Sequence, residues 1–295
     1  MSQGKSQGPD WGVGYSMEFL FFLITNDPRL AREAERAGVE RIGPDLEILG
    51  KEARQGHLDA RISGHTVQDI RHIRGALKKS EVFVRINPIH ARSAEEIEEV
   101  LEAGAQVIML PMFRTAAEVR YFVSELRGRA KPVLLLETPQ AMMRIDEILT
   151  VKGIREVHFG LNDLRLGLGL HSHFDVLCSD LMDGLAGAVR GGNLPYGFGG
   201  VARVGDSTLP IPPDQVLGEL VRLGASRALI SRYFFPRSPE PFDLHREVQR
   251  LRDRISHWRA AGFEALLKNR QALRESVRKY RADPPFTPCN AENFR

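Results

Sequence analysis

The sequence contains few cysteines and no long apolar run, and both shortages narrow the classes of protein to which it can belong. Its two cysteines, Cys178 and Cys289, are far apart in the chain and match neither a metal-binding nor a disulfide spacing. The longest apolar run, around residues 19–24, is far shorter than the roughly 20 residues that span a bilayer. Residues 1–15 are polar and glycine-rich, without the apolar core of a signal peptide. We therefore expect a cytoplasmic protein that does not bind membranes.

A strong excess of charge of one sign is also lacking. The formal net charge is +3 over 295 residues, which is small and gives no reason to expect a nucleic-acid partner. Arginines are frequent in residues 246–254, but acidic residues are interspersed among them, as is typical of a solvated helix face. An apolar content of 42% and a charged content of 27% indicate a globular protein.

Short, β-prone apolar runs alternate with helical patterns along most of the chain, and this rhythm predicts the fold. The predicted strands are residues 19–25, 40–45, 82–87, 107–112, 133–137, 157–161, 196–200 and 227–231. Eight β/α repeats are typical of a TIM barrel, the (β/α)8 fold of the α/β class. A doubly wound open sheet is the alternative, but no Gly-x-Gly-x-x-Gly follows the first strand.

Local signals also predict where several helices begin. Ser93 with Glu96, and Thr115 with Glu118, have the spacing of a capping box. A helical stretch over residues 140–150 joins the fifth and sixth predicted strands, which makes a βαβ unit. These two strands should therefore be parallel neighbours.

The composition changes after Pro236, and we expect three regions: a flexible tail at residues 1–16, a catalytic barrel at 17–236, and a helical extension with a tail at 237–295. The extension contains apolar residues with the 4-3-4-3 spacing of a helical seam: Leu244, Val248, Leu251, Ile255 and Trp258. The seam can dock against its own barrel or contact another subunit, and the sequence favours neither. For the whole protein we predict a homo-oligomer.

Charged residues are concentrated where the strands end, which in a TIM barrel is the location of the active site. Glu137 ends the fifth predicted strand and Asp163 follows the sixth, so two carboxylates should converge. Such a pair suits a hard divalent cation, Mg²⁺ or Mn²⁺. The other candidates at or just after the strand ends are Asp45, Glu47, Arg85, Asn162, Gly199, Gly200, Ser231 and Arg232. A metal and an anionic substrate would together offset the cost of burying both signs of charge.

The last four of these candidates lie where many barrels bind a phosphate group. We count Gly199, Gly200, Ser231 and Arg232 as substrate-binding candidates for this reason. The glycines can equally serve to close the barrel tightly, and the sequence leaves both interpretations open.

Four motifs in the same order resemble one known family. The chain reads Pro44-Asp45-Leu46-Glu47, Val84-Arg85-Ile86-Asn87, Leu-Leu-Glu137-Thr138-Pro139 and Phe-Gly-Leu-Asn162-Asp163-Leu164. This series is similar to the HpcH/HpaI aldolase and citrate lyase family, and the resemblance covers residues 17–235, all eight repeats. It implies a metal-dependent TIM barrel that acts on pyruvate-like 2-oxo acids.

The resemblance also implies roles for individual residues. Glu137 and Asp163 would be the metal ligands, and Arg85 would bind the 2-oxo oxygen and stabilise the enolate. The backbone amides at Asn162 and Asp163 would hold the substrate carboxylate. A divalent ion and a guanidinium at the developing enolate oxygen suit a retro-aldol step. Without a metal, Glu137 would instead be a barrel-rim residue paired with Arg85.

The strand-two motif departs from the family at the group that should remove the 4-hydroxyl proton. Asp45 and Glu47 of this motif would lie near the metal and orient its waters. We count Asp45 as a catalytic residue. The family's aldolases continue Asp-x-Glu-His and its citrate lyases Asp-Leu-Glu-Asp, but Ile48 follows here. The residues that can replace the missing base are Lys51, His57 and His65. We expect His65 to act, with a metal-bound hydroxide or a substrate phosphate as the alternatives.

These observations predict a metal-dependent carbon–carbon lyase or aldolase that acts on a 2-oxo acid through a pyruvate-like enolate. One alternative is a citrate-lyase-like or phosphoenolpyruvate-type enzyme whose substrate carries a CoA or phosphate group. Another is an inactive barrel that serves as a binding or scaffold subunit. Ile48 favours the inactive barrel, whereas Arg85, Glu137 and Asp163 together favour an enzyme.

Overall fold

The structure is a computed structural model that describes residues 18–51, 64–236 and 241–282. The predicted tail at residues 1–16 lies outside these ranges, and so does His57.

Eight parallel strands close into a barrel in chain order, with the last strand paired to the first. The strands are β1 Leu20–Ile24, β2 Arg41–Gly43, β3 Glu81–Arg85, β4 Val107–Leu110, β5 Lys131–Leu136, β6 Glu156–Phe159, β7 Tyr196–Val201 and β8 Arg227–Ile230. Each corresponds to a predicted strand, so the predicted TIM barrel is confirmed. The second strand is shorter than predicted, and Asp45 is joined to Arg85 by an isolated bridge beyond its end.

Helices alternate with the strands and cover the outside of the barrel. They are α1 Pro28–Ala37, α2 Val67–Ala76, α3 Ser93–Glu102, α4 Ala116–Leu126, α5 Pro139–Met143, α6 Ile145–Leu149, α7 Leu161–Gly167, α8 His173–Leu177, α9 Asp180–Gly191, α10 Pro213–Leu223, α11 Leu244–Ala260 and α12 Gly262–Ala282. The helix predicted over 140–150 is thus divided at Arg144 into α5 and α6. No helix within the described ranges is both long enough and apolar enough to cross a bilayer.

The two predicted capping boxes have different outcomes. The box of Thr115 and Glu118 forms at the start of α4 and is confirmed. The other prediction is wrong, because both side chains serve the loop after β3 instead. The Ser93 hydroxyl accepts from the backbone N–H of His90, and Glu96 accepts from Asn87.

Two apolar clusters hold the barrel together. One fills its interior and consists of strand residues that face inward: Phe22, Phe83, Val107, Met109, Val133 and Leu135. The larger one lies between the strands and the helices and continues into α11 and α12. Because successive strand residues point to opposite faces, Phe22 belongs to the first cluster while Phe21 belongs to the second.

Polar residues also occupy the barrel interior, at the ends where the strands begin. Arg41 donates through both terminal nitrogens to Glu156, at 2.6 Å each, and Arg227 Nε donates to the same carboxylate at 2.7 Å. We call Arg41, Glu156 and Arg227 the N-terminal ion cluster. His158 lies one layer further in, with its ring edge against Phe22 and 1% of its surface exposed.

The helical seam packs against the barrel of its own chain. Leu244, Val248, Leu251 and Ile255 are buried on α11, which lies against α1 and α10. Arg252 of the same helix donates to the backbone carbonyls of Phe19 and Gly38. The docked-helix interpretation therefore accounts for the seam. The homo-oligomer stays a prediction.

Candidate active site

Arg85 and Asp45 form the firmest ion pair at the carboxyl end of the barrel. Arg85 ends β3, and its Nε and Nη2 donate to the two carboxylate oxygens of Asp45 at 2.8 and 2.7 Å. This fork-to-fork geometry fixes the guanidinium plane as well as its position. The interpretation in which Arg85 pairs with Glu137 on the rim is thus replaced by a pairing with Asp45.

Lys51, in the loop after β2, also contacts the carboxylate that pairs with Arg85. Lys51 Nζ donates to Asp45 Oδ2 at 3.0 Å and lies 3.8 Å from Glu47 Oε2. Glu47 Oε2 is in turn 3.4 Å from Arg85 Nη1. Asp45, Glu47 and Lys51 are each no more than 5% exposed. We call Asp45, Glu47, Lys51, Arg85 and Glu137 the carboxyl-end cluster.

Arg85 and Lys51 keep Asp45, the first carboxylate of this cluster, ionised. Burial by itself would raise the pKa of Asp45, but Arg85 and Lys51 outweigh it and hold that pKa well below its usual range. Burial would likewise lower the pKa of Arg85, but Asp45 and Glu47 outweigh it and raise the pKa. Asp45 and Arg85 are therefore an ion pair at every pH at which the protein is expected to work.

Glu137 has the opposite electrostatic environment. It follows β5 directly, is 3% exposed, and its Oε1 accepts from the backbone N–H of Met112 at 3.1 Å. Burial raises its pKa well above the usual value, and the negative charges of Asp163 and Glu47 raise it further. Arg85 and the Met112 N–H oppose this shift without cancelling it. The proximity of Glu137 and Asp163 is the convergence expected of parallel neighbours.

Backbone geometry around Glu137 is specialised in two places. Met112 has a φ of 54°, which is unusual for a residue with a side chain and costs about 1–3 kcal/mol. Gly160 lies beside the Glu137 carboxylate, and a Cβ placed there would be 2.4 Å from Glu137 Oε2. Only glycine leaves room for the carboxylate in its present position. Met112 was expected at the end of the fourth strand, whereas Gly160 was not expected to belong to the site.

Asp163 and Asn162 lie in the first turn of α7 rather than at the end of a strand, because β6 already ends at Phe159. The backbone N–H groups of a first turn have no carbonyl partner inside their helix. The predicted role of these amides as carboxylate donors is thus compatible with their position. The Asn162 side chain accepts from Arg165 Nε at 3.2 Å and is held by its own helix.

The loop that carries Glu47 is anchored from α3. Asn87 Oδ1 accepts from the backbone N–H groups of Ile48 and Leu49, at 2.9 and 3.0 Å. Asn87 Nδ2 then donates to Glu96 Oε1 at 2.8 Å. Ile48, at the histidine position of the family's aldolases, is 52% exposed.

His65 contacts the site through the backbone rather than through a reacting group. Its Nδ1 accepts from the backbone N–H of Asp45 at 3.0 Å. Burial lowers the pKa of His65, and a neutral imidazole with Nδ1 engaged in this way carries its proton on Nε2. His65 also lines a groove of about 450 Å³ between α2 and α3.

The candidates at the ends of β7 and β8 lie at the same end of the barrel. Gly199 and Gly200 are within β7, next to an irregularity in its pairing with β8, and Gly200 has a φ of 87°. The Ser231 hydroxyl accepts from the backbone N–H of Tyr233 at 3.2 Å. Arg232 is exposed, and its guanidinium lies over the Tyr233 ring, 5.0 Å from its centre.

Comparison with known proteins identifies the family. The sequence profile of the HpcH/HpaI aldolase/citrate lyase family matches residues 18–181, more than half of the chain. The chain belongs to the HpcH/HpaI aldolase/citrate lyase family. The predicted resemblance is thereby confirmed.

The chain is similar to several named proteins over part of its length. A hydroxypyruvate/pyruvate aldolase from Rhizorhabdus wittichii is 32% identical over 117 residues, 30% of this chain and 45% of that protein. A 2-keto-3-deoxy-L-rhamnonate aldolase from Escherichia coli is 28% identical over 142 residues, 38% of this chain and 53% of that protein. A citrate lyase subunit beta-like protein from Deinococcus radiodurans is 27% identical over 139 residues, 45% and 49% respectively. The matches thus span about half of each relative.

Solved structures show the same fold. An HpcH/HpaI aldolase from Desulfitobacterium hafniense superposes with a TM-score of 0.55 at 18% identity, over 92% of this chain and 95% of that chain. RipC from Yersinia pestis gives a TM-score of 0.56 at 15% identity, over 81% and 96%. At these identities the likeness concerns the fold alone.

The family implies a divalent cation, and the residues at the carboxyl end fit one. Burial raises the pKa of Glu137, the nearby charges of Asp163 and Glu47 raise it further, and a cation held by Glu137 and Asp163 would offset these unfavourable contributions. Within the described ranges no three histidine, cysteine or acidic residues are grouped as a ligand set. Two protein carboxylates with water and substrate completing the shell is an arrangement that Mg²⁺ commonly adopts.

Proposed function

We propose that this protein is a metal-dependent carbon–carbon lyase of the aldolase type, acting on a 2-oxo acid through a pyruvate-like enolate. Membership of the aldolase/citrate lyase family supports the reaction class. The names of the relatives from Rhizorhabdus and Escherichia support pyruvate-like or 2-keto acid chemistry.

One observation carries the proposal: a buried carboxylate is held against other carboxylates beside a fixed guanidinium. Without a bound cation, the ionised Glu137 destabilises the folded protein, both because it is buried and because Asp163 and Glu47 repel it. A divalent cation held by Glu137 and Asp163 would offset that cost. Perturbed groups of this kind are concentrated at functional sites.

The chain's own residues then supply orientation and charge. Asp45 holds Nε and Nη2 of Arg85, so the guanidinium is presented in one orientation to an oxygen that becomes negative in the transition state. The amides at the start of α7 receive the substrate carboxylate. When bound, the divalent ion supplies Lewis-acid polarisation of the 2-oxo group. Glu47, kept in place by Arg85 and Lys51, orients water at the same point.

Proton transfer at the 4-hydroxyl is the remaining requirement. We propose His65 as the group involved, with the condition that its hydrogen bond from the Asp45 N–H must open, since Nδ1 carries the only basic lone pair of the neutral ring. A water oriented by Asp45 and Glu47 is the alternative acceptor and needs no such opening. Substituting His65 with alanine suppresses cleavage of 4-hydroxy-2-oxo acids in the first case and leaves it largely unchanged in the second.

The decisive experiment compares Mn²⁺ binding and pyruvate enolisation in the same preparations. Calorimetry measures Mn²⁺ affinity, and NMR in D₂O measures exchange of the pyruvate methyl protons. We expect the wild type to show both, and Glu137→Gln and Asp163→Asn to lose both while keeping the wild-type circular dichroism. The control is Glu147→Gln on the exposed side of α6, which should behave as wild type.

Each contrary result has a distinct meaning. Equal Mn²⁺ binding by wild type and both carboxamide variants would show that the metal ligands are misassigned. A wild type that binds Mn²⁺ but neither exchanges pyruvate protons nor cleaves 4-hydroxy-2-oxo acids would support the scaffold alternative. Activity confined to substrates that carry CoA or phosphate would support the citrate-lyase-like alternative.

A further inference from the structure

Lys51, one of the residues that could replace the missing base, is a buried cation paired with carboxylates. Its side chain is 5% exposed, and its backbone N–H donates to the carbonyl of Ile48 in a turn at the end of the strand-two loop. Lysine is almost never buried this deeply unless it is paired. The turn directs Nζ back to Asp45, the residue with which the loop begins.

The position of Nζ gives Lys51 an electrostatic effect beyond its own ion pair. It lies 3.0 Å from Asp45 Oδ2 and 3.8 Å from Glu47 Oε2, so it attracts both carboxylates. Glu47 is one of the two charges that act unfavourably on Glu137. A cation next to Glu47 therefore weakens the negative potential at Glu137.

The same contacts determine what Arg85 can do. Asp45 takes hydrogen bonds from Arg85 and from Lys51, and Glu47 lies between Nη1 of Arg85 and Nζ of Lys51. Asp45 also accepts from the backbone N–H of Glu47 at 3.1 Å. If the ammonium were removed, more of the negative charge of both carboxylates would act on the guanidinium. Arg85 would then be drawn further toward Asp45 and Glu47 and would interact less with a substrate oxygen.

We propose that Lys51 is a positioning residue that offsets the charge of Asp45 and Glu47 beside the metal-binding pair and leaves Arg85 available to the enolate. The proposal rests on the proposed function, because it assumes that Glu137 and Asp163 hold a divalent cation. It gives Lys51 two opposite effects: the ammonium weakens cation binding and accelerates enolisation.

A purely structural role for Lys51 predicts a different result. If the lysine only anchored the loop, its loss would loosen Glu47 and Asp45 and weaken both Mn²⁺ binding and enolisation. Removal of a nearby positive charge should instead strengthen binding of a cation, by about tenfold once the dielectric constant near a protein surface and salt have weakened the interaction. The sign of the change in Mn²⁺ affinity therefore separates the two roles.

The test uses Lys51→Met, which keeps most of the side-chain volume, and Lys51→Arg, which keeps the charge. For Lys51→Met we expect Mn²⁺ to bind about tenfold more tightly, and kcat for pyruvate proton exchange to fall by about 10–100-fold. Lys51→Arg should return the Mn²⁺ affinity to within about twofold of wild type and recover part of kcat. Lys152→Met, an exposed lysine before β6 at the other end of the barrel, is the matched control and should change neither value.

The other outcomes count against the proposal in distinguishable ways. A wild type that binds no Mn²⁺ overturns the proposed function and this inference with it. A wild type that binds Mn²⁺, with Lys51→Met binding it equally or more weakly, overturns the inference alone. If Lys51→Met does not fold, Lys51→Gln carries the same expectation, and failure of both to fold shows that the lysine is structural.

Discussion

The two ends of the barrel bury ionic groups in opposite ways. In the N-terminal ion cluster, Glu156 is surrounded by Arg41 and Arg227 and its oxygens accept three short hydrogen bonds. In the carboxyl-end cluster, Glu137 accepts from one backbone N–H and lies near two other carboxylates. Burial pushes the pKa of both glutamates upward, but the arginines reverse the shift at Glu156, whereas Asp163 and Glu47 add to it at Glu137.

The difference separates a stabilising cluster from a cluster that is suited to bind something. A buried carboxylate with its hydrogen bonds provided by arginines is complete within the protein. A buried carboxylate whose neighbours raise its pKa is stabilised when a cation binds. The contrast agrees with the general division of TIM barrels, in which one end serves stability and the other carries the active site.

The largest expected effect is at the N-terminal ion cluster. Glu156→Gln should lower the free energy of unfolding by about 3–5 kcal/mol, because two buried arginines lose the charge that offsets their desolvation. Urea unfolding followed by circular dichroism measures the change. Glu98→Gln, which breaks an exposed pair with Arg129, is the control and should have no measurable effect.

The same substitution at the other end sharpens the comparison. Glu137→Gln should leave the metal-free protein at least as stable as wild type, and its advantage should grow as pH rises. The sign follows from the raised pKa of Glu137: the folded wild type retains a proton that the unfolded chain releases, so its stability falls with increasing pH. Similar losses of stability in Glu137→Gln and Glu156→Gln would show that the two clusters do not differ in the way described.

A smaller effect is expected from His158 in the barrel interior. Its Nε2 has no hydrogen-bond partner among the described residues, and burial lowers the pKa of His158 to about 3. The unfolded chain therefore takes up a proton below pH 6.5 that the folded protein does not, so stability is present above that pH and is lost as pH falls toward 3.

His158→Leu tests this pH dependence. Between pH 7 and pH 4.5 the wild type should lose about 3 kcal/mol more stability than the variant. The unfolded chain binds the extra proton over the roughly two pH units below 6.5, and each unit is worth about 1.4 kcal/mol. Parallel urea titrations at both pH values give the difference. His72→Leu on the exposed face of α2 is the control. Equal acid sensitivity of wild type and His158→Leu would mean that His158 is protonated in the folded state.

The smallest change is a single methyl group at Gly160. The added Cβ would lie 2.4 Å from Glu137 Oε2, so the carboxylate must move. We expect Gly160→Ala to weaken Mn²⁺ binding by about 10–100-fold, and to lose stability as well because the added Cβ would also lie 2.6 Å from Glu137 Cβ. Gly184→Ala on α9, where an added Cβ meets no atom within 4 Å, should leave Mn²⁺ binding unchanged. Wild-type affinity in Gly160→Ala would show that the position of Glu137 does not matter for the metal.

Local patterns predicted most of the fold, and they were wrong where tertiary contacts compete for the same side chains. The strand-ending apolar runs and the Thr115–Glu118 box depend on neighbours in the chain, so they could be read directly. Ser93 and Glu96 have the same spacing, but Asn87 and His90 offer them other hydrogen bonds once β3 and α3 are packed together.

The candidate site was predictable in its residue types and less so in its pairings. Arg85, Glu137 and Asp163 were expected at strand ends because the parallel barrel places all carboxyl ends together. The fork between Arg85 and Asp45, and the entry of Lys51, depend on how a loop of several residues turns back on itself. No periodicity in the sequence encodes that turn.

The sequence by itself determined the closed barrel of eight β/α repeats, its family and the end at which acidic and basic residues meet, because each follows from short-range patterns repeated along the chain. Tertiary structure alone decided which charges become partners. Gly160 makes room for Glu137, and Lys51 approaches Asp45 and Glu47. The physical reason is that electrostatic and steric interactions depend on distances of a few ångströms between groups brought together by folding, and burial then strengthens each of them.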